Sequence, residues 1–89
     1  MAAPCRSTPV FDETTLPAGL RGEHRTRAGV WGEIHVLAGS LGLTRLDPPS
    51  EVTIVPGRPG LVLPEQPHWV TPLGPMRMRV DFYDGPPGP

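Results

Sequence analysis

The 89-residue chain carries 14 prolines and 11 glycines, and nothing else in it limits the fold as strongly. Proline removes a backbone donor and glycine weakens a regular element from within, so a helix of ordinary length has nowhere to run. Between these breaks the sequence alternates. Met76, Met78, Val80 and Phe82 fall on one side of an extended segment, with Arg77, Arg79, Asp81 and Tyr83 on the other. That period of two is what a half-buried strand requires. Ile34 and Val36 alternate with Glu33 and His35 in the same way, Leu41 points with Leu43, and Val52 with Ile54 on a buried face. No segment sustains a 3.6-residue period. The prolines and glycines therefore read as turns between about seven short strands, and the chain as one all-β domain, a sandwich or barrel with very little helix.

Strands are expected over residues 20–27, 30–37, 51–55, 61–63 and 76–83, with shorter ones around Leu41 and His68. Residues 1–9 read as a flexible N-terminal arm, 7–83 as the domain and 84–89 as a Pro/Gly-rich tail, because polar, proline-bearing ends gain little from packing. A domain this small has little core, so a homodimer is expected as the way to cover its open edges and apolar surface.

Eight cations, all arginine, face nine carboxylates. This near-neutral balance lacks the basic footprint that nucleic-acid binding needs, and there is neither an amphipathic helix for a membrane surface nor a span long enough to cross one. The first residues lack an apolar run of signal-peptide type, and the single cysteine, Cys5, has no partner for an internal disulfide. A cytoplasmic protein with an incidental free thiol is the expectation.

Two histidines, His24 and His68, stand at the mouths of two predicted strands. They form the candidate site, open to three readings: a divalent transition metal (Zn, Fe, Ni or Mn), a metal-free polar pocket for a small molecule, or purely structural imidazoles. Thr26 and Glu65 are lesser ligand-binding candidates. By alternation, His35 and Glu33 lie with Trp31 on the outer face, a solvated or subunit-facing surface. Trp69 likewise falls opposite the core, and both tryptophans suit anchoring an arm or a partner. Arg77, Arg79 and Asp81 read as an exposed face with local charge pairing.

The stretch HRTRAGVWGEIHVLAG, followed by GLVLPEQPHWV, resembles the two motifs of a cupin, the small jelly-roll barrel. More closely, LPAGLRGEHRTRAGVWGEIHVLAG, PEQPHWVTPLGP and MRVDFY in that order resemble the YeaR/TehB-like small cupins, a bacterial family of uncharacterised function that includes stand-alone proteins and a domain of some tellurite-resistance methyltransferases. The resemblance implies a cupin-like jelly roll over almost the whole chain, binding a small molecule or divalent metal in the barrel, in a stress context such as tellurite or nitrogen oxides. It also implies that His24 and His68 hold the metal. A complete cupin site has three histidines and a carboxylate. Here Thr26 stands where a second histidine is usual, and Gly32 where the glutamate is usual, with Glu33 one residue off and so on the opposite face. Two further functions stay open, a metal-dependent enzyme of oxygenase or isomerase type and a non-catalytic interaction module.

Overall fold

A computed structural model describes residues 3–87. Eight strands and one helical turn follow in order: β1 (Arg6–Ser7), β2 (Phe11–Asp12), α1 (Ala18–Arg21), β3 (Trp31–Ala38), β4 (Leu41–Arg45), β5 (Ser50–Ile54), β6 (Gly60–Val62), β7 (His68–Pro72) and β8 (Arg77–Tyr83). They form two antiparallel sheets. The first runs β1-β8-β3-β6 with β2 also on β8, and the second runs β5-β4-β7. The all-β expectation holds, and the two sheets make a cupin-like sandwich.

The inner faces are the alternating residues picked out above. Ile34 and Val36 from β3, Met78 and Val80 from β8 and Val62 from β6 meet Leu41 and Leu43 from β4, Ile54 from β5 and Val70 from β7. Gly60 sits opposite Ile34 in the ladder, where a Cβ would lie 2.6 Å from Ile54 Cδ1 and 2.9 Å from Leu43 Cδ2. The missing side chain lets the second sheet press onto the backbone of the first. Val52 shares the face of Ile54 but is 38 % exposed, because β5 is the edge of its sheet and little reaches over it.

Two expectations need correction. Residues 20–27 do not form a strand. Pro17 precedes α1, whose bonds run from Leu20 N–H to Pro17 O and from Gly22 N–H to Ala18 O. Proline is well placed at the start of a helical turn, where its absent donor is not needed. Beyond this turn only His24 pairs, in a single bridge to His68. The arm is not loose from Cys5 onward either. Cys5 N–H bonds to Phe82 O at 2.7 Å and Thr8 N–H to Val80 O at 2.9 Å, and β1 lies in register with β8 as Arg6 opposite Phe82 and Ser7 opposite Asp81. The edge of β8 offers backbone partners, and the tetrapeptide between Pro4 and Pro9 takes them. Residues 84–87 carry no helix or strand; the rest of the expected arm and tail, residues 1, 2, 88 and 89, falls outside the described residues.

Candidate functional site

His24 and His68 are brought together by the backbone. The N–H of each bonds to the C=O of the other, at 3.0 and 2.9 Å. Such a reciprocal pair puts both side chains on one face, and the two rings lie with centroids 4.1 Å apart, tilted by 58°. His68 in turn pairs with Arg45 on β4 and Arg45 with Ser50 on β5, so one row of inward side chains crosses the end of the second sheet. Arg45 is held there by Leu61 O at 2.6 Å and Ser50 Oγ at 3.0 Å.

Each imidazole has one nitrogen committed. His24 Nδ1 lies 2.9 Å from Gly22 O, and His68 Nδ1 lies 2.8 Å from Gln66 O. A carbonyl only accepts, so both Nδ1 atoms carry the proton, and in the neutral rings both Nε2 atoms present a lone pair. No buried side-chain nitrogen among the described residues is left without a partner, so the Nε2 of the buried His68 reaches accessible space. Burial pushes the His68 pKa below its ordinary value; the Gln66 carbonyl opposes this, and the nearby His24 and Arg45 add to it. His68 is therefore neutral at pH 7.

The space that both histidines line is a cavity of about 410 Å³ at one end of the sandwich. Its wall is apolar, built from Ile34, Val62, Val70, Met78, Val80 and Phe82, and Gly32 contributes bare backbone. A Cβ at Gly32 would make only ordinary contacts, the nearest 3.6 Å from Val62. The position where the resemblance expects a carboxylate does face the cavity, and no carboxylate is there. Thr26 lines the cavity too, but its hydroxyl is spent on the fold: it donates to Val30 O at 2.8 Å and accepts from Glu65 N–H at 3.2 Å. Glu65 is exposed and lies outside the cavity lining. Its part is to tie its loop to Thr26 through that backbone bond, with φ at +59°. Two imidazoles alone are too few protein ligands for a tightly held resident metal.

A second polar group, not foreseen as a unit, lies on the outer face of the first sheet. Ligand atoms of Glu33, His35 and Asp81 all fall within 4.8 Å of one another, a spacing that one cation can bridge. His35 Nε2 is 2.9 Å from Glu33 Oε1 and 3.3 Å from Asp81 Oδ2. The oxygens also have other partners. Ser7 Oγ donates to Asp81 Oδ1 at 2.7 Å, Arg79 donates to both Asp81 oxygens, and Tyr83 OH donates to Glu33 at 3.3 Å. Burial of Asp81 works against its charge, yet the Ser7 and Arg79 bonds hold its pKa below the usual carboxylate value. The Tyr83 hydroxyl is pushed up by burial and by the charges of Glu33 and Asp81. The local charge pairing of Arg79 with Asp81 was expected; the burial of Asp81, at 5 % exposure, was not.

A two-sheet antiparallel β-sandwich with a cavity between its sheets is cupin-like in form. The chain belongs to the TehB-like domain family, whose model matches residues 6–80. Among solved structures, a protein from Escherichia coli strain K12 superposes with a TM-score of 0.84 at 25% identity, covering 96% of this chain and 92% of its own. TehB from Haemophilus influenzae superposes at 0.82 with 26% identity over 90% of this chain, which corresponds to 30% of the TehB chain. FeII HppE, at 20% identity and a TM-score of 0.63 over 83% of this chain and 40% of its own, shares the fold. No curated protein matches the chain. Among the described residues no helix is long and apolar enough to cross a membrane.

Proposed function

We propose that this chain binds a small molecule in the cavity between its sheets, with the Nε2 atoms of His24 and His68 as the polar contacts that orient the ligand. The observation that carries this reading is the combination of an apolar cavity with two imidazoles whose other nitrogens are fixed on backbone carbonyls. Ligand sites are typically of this kind, mostly apolar with a few convergent polar groups. Membership of the TehB-like family supports a binding role and, by the resemblance noted above, a stress context, but a shared fold assigns no chemistry.

The test is a titration of ¹⁵N-labelled protein with octan-1-ol, following amide shifts. Shifts are expected at Gly32, Val62, Val70 and Met78. Gly32→Leu, whose side chain enters the cavity from its wall, is expected to weaken binding at least about tenfold while leaving the fold intact by circular dichroism, since pockets of this size depend on their apolar volume. Shifts confined to other surfaces, or an unchanged affinity in Gly32→Leu, would overturn the reading. Metal content by mass spectrometry of untagged protein and of His24→Ala, His68→Ala and His35→Ala gives a second check. One equivalent of transition metal lost in His24→Ala or His68→Ala would make the cavity a metal centre, and loss in His35→Ala alone would place the metal at the outer cluster.

A further inference from the structure

Charge at the cavity mouth runs against that of the molecule. The chain as a whole is slightly acidic, with a formal net charge of -1, yet the charged residues lining this one cavity are Arg6, Arg25, Arg27 and Asp84. All four are exposed, so they stand at the rim and leave the apolar wall behind them. Among the described residues none of the three arginines forms an ion pair or donates a guanidinium hydrogen bond; Arg58 and Arg77, outside the cavity lining, share this, whereas Arg21, Arg45 and Arg79 each have protein partners. Arg6 is placed by stacking: its guanidinium carbon sits 4.9 Å from the centre of the Phe82 ring, itself part of the cavity wall. Arg25 and Arg27 flank Thr26, whose hydroxyl is tied to Val30 and Glu65, so the segment that carries them is pinned over the opening. Deeper in, the charge vanishes. His68 is neutral and leaves a lone pair on Nε2, which repels an anion and welcomes a donor.

We infer that the ligand is an amphipathic anion, with its apolar body between the sheets and its negative group, a carboxylate or other oxyanion, at the rim among Arg6, Arg25 and Arg27. This rests on the cavity being the binding site, as proposed above. Guanidinium groups suit such oxygens because they offer several donors in one plane. A low-dielectric wall behind the rim focuses the positive potential on the entrance and draws anions to it.

Three probes of one length separate the claims: octanoate, octan-1-ol and octylammonium, each titrated by amide shifts below its aggregation concentration. Octanoate is expected to bind at least tenfold more tightly than octylammonium and more tightly than octan-1-ol. Its advantage over the alcohol is expected to shrink in 0.5 M NaCl, as exposed charges are screened, and to disappear in the triple variant Arg6→Gln, Arg25→Gln, Arg27→Gln, with alcohol affinity held within twofold. Equal affinities for all three probes would overturn the anion inference and leave the cavity reading standing. A preference for octanoate that survives in the triple variant would overturn the assignment to these arginines. Absence of cavity-wall shifts with every probe would overturn both readings.

Discussion

Gly39 closes the turn from β3 to β4 with φ at +74°, and a Cβ there would lie 2.2 Å from Pro75 O. Both the left-handed backbone and the close approach exclude a side chain. Gly39→Ala is expected to cost about 3 kcal/mol or more in denaturant unfolding, the combined scale of a strained backbone and an overpacked contact. His68 makes a pH prediction of definite sign. Its folded pKa lies below the ordinary 6.5 because of burial first of all. Below 6.5 the unfolded chain takes up a proton that the folded chain refuses, so stability is complete above that pH, falls as the pH drops through it, and levels off below the folded pKa. Thermal midpoints measured across this range should show the fall in the wild type and a flatter profile in His68→Asn, whose amide can still donate to Gln66 O. At this scale the sequence was partly readable. His24 and His68 were visible as two histidines at strand mouths, and they do meet. Glu33, His35 and Asp81 were visible only as neighbours on two separate strands. Their meeting depends on the register of β3 with β8, which puts Glu33 opposite Asp81 and His35 opposite Arg79, and alternation within a strand carries no information about register between strands.

Between β1 and β2 the arm crosses β8 without a ladder, and a side chain fills the gap. Thr8 Oγ1 accepts from Val80 N–H at 2.9 Å and donates to Pro9 O at 2.8 Å. Pro9 itself has no N–H to give. Thr8→Val, equal in shape, would leave a donor of the buried Val80 without a partner and is expected to destabilise by about 1–2 kcal/mol, with Thr8→Ser close to wild type, in urea unfolding. The long alternating strands β3 and β8 were legible almost to the residue because one face of each is buried. The arm was not, since its pairing is two residues long and is dictated by an open edge elsewhere in the fold rather than by its own pattern. The helical turn at Ala18–Arg21 was hidden for a related reason: Pro17 and Gly19 exclude a longer helix there, while a single turn of four residues needs no sustained period and tolerates proline at its start.

At the scale of the molecule, punctuation and alternation led to an all-β sandwich or barrel without deciding between them; the division into two sheets rests on pairings that neither pattern records. Where the cavity opens was not legible either, because that depends on which loops end over it. Arg6 pairs with Phe82, and Cys5, Arg6, Tyr83 and Asp84 all border the cavity, so the polypeptide leaves the fold beside the place where it entered. The path is nearly a closed ring. A short linker joining residue 84 to residue 5, with new ends cut at Gly57, an exposed turn position with φ at +85° and open space around it, should give a circular permutant with the spectrum and cavity of the parent, as exposed loop tips usually allow. In the uncut chain the same geometry brings a group attached at Cys5 and one attached at Asp84 to the border of one and the same cavity.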